Sequence, residues 1–519
     1  MAADQQSSDS LKAVVPLRAG ELRGKPLRRT LFLVTSGWFF GSVWMNMTSG
    51  TPLATYATAL GASEFQFGLL TALPFLASIL SLPGALMIEA TGKRKTLFLC
   101  WLYFQRLMWI PLALVPLWIV QRGGFASAGL AMSVFLVLFF LMHTGQAMGG
   151  PGWTGWMADL SPGNIRGTYF SHRKQWSLLS AIPAAWGAGW LLDHYAGGSS
   201  GIMTTLGWCA VLFIVAGFFG TVDIAHFHWV PDVPTPPKRG RELISSWGEP
   251  LRNSSFLWFA GFVATLIFAV SFMGQFVTLF ILLQLGAGKS AGPAAGMNQI
   301  TQMMLLVVPS VAQLLTYHIW GRAADRMGKR PVMVLAGLGL VPVAIGWCFV
   351  TRDNIWLGYV MAAAGAVCWS GIEIVNTNVV MEFAGSASER GGKGGTAYVG
   401  VHTVITNLAG FLGGISAGLV AQLLRDFHWQ APLIHDFSFF QVLFLLSALL
   451  RLLAVVVFLP HVVEPTAQPT VETLRFMSSN IYNNLFNIAT LPLKLVGLTD
   501  EPEPPAKPPS ADLSNNKVQ

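Results

Sequence analysis

The sequence predicts an all-α membrane protein in which twelve transmembrane helices form two pseudo-symmetric six-helix bundles. Three observations carry the prediction. Apolar residues make up 53% of the 519-residue chain and charged residues only 11%, against about 25% charged residues in soluble domains. Twelve runs of mostly apolar residues are each long enough to cross about 30 Å of hydrocarbon as a helix. A polar linker divides these runs six and six, and sequence features on one side return on the other.

In chain order, residues 1–30 are polar and basic and form an amino-terminal tail without the apolar core of a signal peptide. The first bundle occupies 31–230, with runs at about 31–52, 64–88, 96–120, 128–157, 174–192 and 203–228. The linker 231–255 contains Pro-Thr-Pro-Pro-Lys-Arg-Gly-Arg and reads as a hinge region. The second bundle occupies 256–460, with runs at about 256–285, 296–320, 331–350, 355–383, 396–424 and 437–460. Within 461–499, Leu474, Met477, Ile481, Leu485 and Ile488 recur at helical spacing, which predicts an amphipathic helix on the cytoplasmic surface or docked on the bundle. Residues 500–519 are rich in proline and acid and read as a disordered tail.

Lysine and arginine set the orientation. With the amino terminus inside, 26 of the 32 cations fall in inner segments, and the outer loops hold only Arg122, Lys289, Arg352 and Arg425. This bias places both termini in the cytoplasm, and the expected location is the plasma (inner) membrane. It also explains the net charge of +8 without nucleic acid. Cys100, Cys209, Cys348 and Cys368 lie inside apolar runs without metal-ligand spacing, so free buried thiols are expected. The chain lacks a phosphate-cradling glycine loop, a nucleophile elbow and a His-Glu-x-x-His pair, so neither an enzyme, a metal site nor a cofactor is predicted.

The most informative stretch is Gly321 to Arg330, Gly-Arg-Ala-Ala-Asp-Arg-Met-Gly-Lys-Arg, between the eighth and ninth runs. Asp325 and Arg326 precede Gly328, which permits the positive φ of a tight reversal, and Lys329 and Arg330 follow it. An echo 236 residues earlier reads Glu89-Ala-Thr-Gly92-Lys93-Arg94. A second repeat joins Asp159 and Arg166 after the fourth run to Glu382 and Arg390 after the tenth. The Gly-x-x-x-Asp-Arg-x-Gly-Lys-Arg pattern resembles the signature loop of the major facilitator superfamily. Together with the six-plus-six layout, the likeness covers residues 31–460. The first loop departs from the pattern, with Ala90 in place of an arginine. The resemblance implies a secondary transporter with a central site between bundles. Its loop charges would form an inner gate, with Asp325 or Glu89 accepting from a helix start in the facing half, Arg326 or Arg330 pairing with Glu382, and Lys93 or Arg94 pairing with Asp159.

Polar groups at membrane depth are the candidate site residues, because a lone carboxylate there costs several kcal/mol. Glu373 lies ten residues, about 15 Å, from the inner end of the tenth run, with Asn376 on the same face. His143 and Gln146 sit at similar depth in the fourth run, and Asn46 and Gln275 in the first and seventh. Amides elsewhere read equally well as interhelical hydrogen bonds. Arg106 and Arg451 need inward partners, with Asp223 a candidate for one of them. The expected function is secondary active transport of a small organic solute by a monomer in the lipid bilayer, with protons coupled through Glu373. A drug or metabolite exporter, and a receptor or assembly factor that does not transport, are the alternatives.

Overall fold

The computed structural model describes residues 24–160, 163–196, 201–232, 248–286, 296–389, 395–431, 434–462, 464 and 468–479. Twelve long rods run in alternating directions. In the first half these are α1 (Gly24–Thr48, continued by Thr51–Ala59), α2 (Glu64–Thr91), α3 (Arg94–Gly123), α4 (Ala128–Leu160), α5 (Gly163–Tyr195) and α6 (Ile202–His226). In the second they are α7 (Ser254–Leu285), α8 (Met297–Met327), α9 (Lys329–Trp347), α10 (Trp356–Glu389), α11 (Gly395–Leu423) and α12 (Phe439–His461). Ten of these are long and apolar enough to cross a membrane. The other two are α1, interrupted by Thr35, Ser36, Ser42 and Asn46, and α5, which carries Arg173 and Lys174.

Packing repeats six helices apart. The pairs α1–α6, α1–α5, α3–α4 and α2–α4 return as α7–α12, α7–α11, α9–α10 and α8–α10. The halves meet along two seams, α2 against α11 and α5 against α8. Burial is mostly apolar and aromatic, with Tyr56 clamped between Phe135 and Phe213 and its hydroxyl donating to the Ala113 carbonyl.

The two ends of the seam differ. One face of the molecule holds the turns at Gly92 and Gly328, where φ is 67° and 100°; we call it the loop face. At the opposite face the halves are joined closely. A Cβ on Gly414 would lie 2.8 Å from the Ala72 amide nitrogen, and one on Gly418 would lie 2.9 Å from the Phe65 carbonyl oxygen. Only glycine lets α2 and α11 come this near.

The boundaries differ from the sequence expectation in four places. The first helix starts at Gly24, inside the expected tail, and breaks at Gly50 (φ 72°) beneath the Gln302 side chain. Helix α5 begins at Gly163 rather than near residue 174, because a polar first half does not prevent a helix that packs inside a bundle. A two-stranded antiparallel hairpin, β1 (His428–Ala431) with β2 (Ile434–Ser438), joins α11 to α12 in an otherwise α-helical chain. Beyond α12, α13 (Thr470–Ser479) docks on α8 and α9 with Thr473 fully buried. The rest of the amphipathic segment expected within 461–499, and the tail 500–519, lie outside the described residues.

Candidate functional site

Two cavities among the described residues bear on function. The first, about 640 Å³, lies in the seam on the loop-face side of the α2–α11 contact. Its walls are Ser78, Ser81, Ala85 and Glu89 of α2, Gln146, Gly150 and Thr154 of α4, and Val399, Thr403 and Asn407 of α11. The second, about 440 Å³, lies inside the first half among α1, α3, α4, α5 and α6. Gln146, Gly150 and Thr154 line both, so α4 is a shared wall.

At the α5–α8–α10 junction, Glu373 is exposed and accepts a hydrogen bond from the Tyr317 hydroxyl of α8. Lys174 of α5, in the other half, lies within electrostatic reach of the same carboxylate. The acid therefore faces the seam rather than the bundle's outer surface. Asn376, one turn on, keeps a buried carbonyl oxygen without a partner among the described residues.

The 440 Å³ cavity holds the densest charge. Arg106 donates from Nη2 to Asp223 at 3.1 Å and from Nη1 to Gln105 at 2.8 Å, with its guanidinium 3.5 Å from the Trp44 ring centre. Glycines make room for the pair: a Cβ on Gly41 would sit 2.7 Å from Asp223 Oδ2, and one on Gly220 would collide with Arg106. Arg173 lies between two indoles, 4.6 Å from Trp38 and 5.0 Å from Trp153. His143 and Gln146 line this cavity, the imidazole edge-on to Phe139 at 4.6 Å.

Other predicted residues have more local roles. Asn46 is buried, donates to the Ser42 carbonyl within α1, and offers its own carbonyl to Gln302 of α8. The Gln275 amide donates to Thr71 Oγ1 across the halves. Arg451 donates to the Leu340 carbonyl at 2.8 Å rather than to a carboxylate. At the loop face Glu382 pairs with Lys329, and not with Arg326 or Arg330. Glu464 instead accepts from the Lys329 and Arg330 amides at 3.0 and 2.7 Å, capping α9, while Arg326 lies over the Phe476 ring. Asp325 and Lys93 are exposed, Glu89 borders the seam cavity, and Arg94 is buried against Gly155. The side chains of Asp159 and Arg166 and the whole of Arg390 lie outside the described residues, so the Asp159 pairing does too.

The acid of one half at a helix start of the facing half, expected at the loop face from Asp325 or Glu89, occurs at the other end. Asp193 of α5 accepts from the Asn298 amide and side chain at 3.0 Å and from the Gln299 amide at 2.9 Å, at the first turn of α8. Gln302 bridges to the Thr51 amide and the Asn46 carbonyl. Sequence reading missed Asp193, Arg173 and Lys174. The Pro162-Gly163 turn signal could have moved the start of α5 back and placed both cations in a rod.

Comparison with known proteins agrees with this architecture. A family model described as Major Facilitator Superfamily matches residues 33–392 and 291–499. No curated protein sequence matches the chain. Among solved structures, the nucleoside transporter NupG superposes with a TM-score of 0.57 at 12% identity, covering 84% of this chain and 99% of its own. A D-xylose–proton symporter gives 0.56 at 16% identity, covering 85% and 99%. A bacterial homologue of the iron transporter ferroportin, solved in its inward-facing state, gives 0.54 at 14% identity, covering 84% and 100%.

Proposed function

The chain belongs to the major facilitator superfamily, and from that premise we propose that it is a secondary active transporter, moving a small organic solute by alternating access and coupling to protons through Glu373. The observation that carries this reading is the asymmetry of the seam. It is tied by Asp193, Gln302 and the α2–α11 glycines at one end, and it holds a cavity at the other. From the cation bias we read the loop face and both termini as lying on the cytoplasmic side of the plasma membrane. On that orientation the conformation is inward-open. Opening outward requires breaking the Asp193–α8 bonds and closing α2 on α11 at the loop face.

Glu373 suits coupling because it is a carboxyl at mid-helix, hydrogen-bonded across helices and facing a cation of the other half. Protonation would remove its attraction to Lys174 and change the balance between the two conformations. The solute follows from a thermal-shift screen of purified protein against sugars, amino acids, peptides, organic anions and drugs. With that solute in proteoliposomes, Glu373→Gln is expected to abolish accumulation driven by a proton gradient and to leave counterflow exchange intact. Accumulation at the wild-type level would remove Glu373 from coupling. Absence of exchange, with a protein partner copurifying at fixed ratio, would favour the receptor or assembly factor instead.

A further inference from the structure

The 440 Å³ cavity of the first half contains more positive charge than the fold needs. Asp223 is already bonded to Arg106. Arg173 forms no ion pair among the described residues, and the Nε atoms of both arginines are buried without an acceptor. Asp223 lies within electrostatic reach of Arg173 as well, and the other titratable neighbours, His143, Tyr169, Lys174 and His226, include no second carboxylate. Two guanidiniums against one carboxylate leave a charge of about +1 in the chamber, which an arriving anion would offset.

The rest of the chamber indicates what kind of anion. Trp38, Trp44 and Trp153 contribute indoles to the lining, and the Arg173 guanidinium carbon lies 4.6 and 5.0 Å from the Trp38 and Trp153 ring centres. A guanidinium so held keeps its donor fork oriented, and a carboxylate is the group that takes the fork bidentately. Indole faces favour a flat ring beside that carboxylate. The volume is within the range of small-molecule sites. Gln146, Gly150 and Thr154 of α4 line this chamber and the seam cavity alike, so the two adjoin along that helix.

We propose that this chamber binds a monoanionic aromatic carboxylate, with Arg173 taking the carboxylate and the tryptophans flanking the ring. The proposal rests on the transport reading for its meaning, since it names the class of solute carried. Binding and transport are therefore measured separately. Benzoate is titrated into purified protein by calorimetry and by quenching of tryptophan fluorescence, with benzamide as the uncharged control and cyclohexanecarboxylate as the non-aromatic one.

Saturable benzoate binding is expected, with benzamide silent and cyclohexanecarboxylate weaker. Arg173→Gln should weaken benzoate by about tenfold or more, the size of a lost hydrogen bond to a charged group. Arg173→Lys keeps the charge without the fork and should fall between the two. It also serves if the glutamine variant does not fold. No saturable binding at millimolar benzoate, or equal binding by wild type and both Arg173 variants, overturns the site. Benzoate that binds through Arg173 yet never exchanges across a vesicle membrane leaves the site standing and removes the transport reading. Exchange of another solute without benzoate binding does the reverse.

Discussion

Arg106 and Asp223 face each other at 3.1 Å with about 3% of each side chain exposed. Such a pair contributes little net stability, but breaking it leaves a buried charge that costs about 3–5 kcal/mol. Asp223→Asn should therefore lower thermal unfolding of the detergent-solubilised protein sharply. The double variant Arg106→Met, Asp223→Leu should recover most of the loss, because removing both charges removes the penalty with the attraction. If the double variant is as unstable as the single one, the pair is not what holds α3 to α6. At this scale the sequence was half legible. A guanidinium in an apolar run demands an inward partner, and that demand identified Asp223 as a candidate. The partner of Arg451 is the Leu340 carbonyl, and backbone acceptors leave no mark in a sequence. Arg173 was unreadable for another reason: counted as a topogenic loop charge, it lies ten residues into α5.

Among the elements, α5 and α8 form the contact that decides which end of the seam is shut. Asp193 satisfies donors at the first turn of α8 that no α-helix can satisfy itself, and its charge meets the positive end of the helix. Hydrogen bonds to charged groups are worth about 1.5–3 kcal/mol each before relaxation. Removing the carboxylate by Asp193→Ala should move the conformational balance by about 1–3 kcal/mol, or about 5–150-fold, toward opening at this face. In a cysteine-free background, a reporter Thr55→Cys beside Asn298 should then react faster with an impermeant maleimide by a factor in that range. An unchanged rate would assign closure to the Gln302 bonds and the glycine contacts of α2 and α11 instead. Helix spans were readable from hydropathy to within about seven residues, except where packing overrides polarity at the start of α5 and where Gly50 breaks α1 beneath Gln302.

For the whole molecule, the six-plus-six plan was legible because each bundle repeats the same demands on charge and length, while the state of the seam was not. The Gly328 turn itself is fastened within the second half, by Lys329 to Glu382, by Glu464 across the first amides of α9, and by the Gln468 amide to the Met327 carbonyl. These bonds stiffen one bundle and leave the loop face free to separate from the other, which is how a seam with one tied end can hold a 640 Å³ cavity. Closure of that face must bring α2 toward α11. Ala85 and Thr403 line the cavity from opposite halves, so Ala85→Cys with Thr403→Cys, again without the four native cysteines, reports the movement directly. Oxidative crosslinking should be slow in the state described here. It should accelerate when Asp193→Ala is added, since opening at one end and closure at the other are the same rotation. Crosslinking that is indifferent to Asp193 would mean that the two ends move independently, and a rigid-body exchange between two faces would no longer describe the protein.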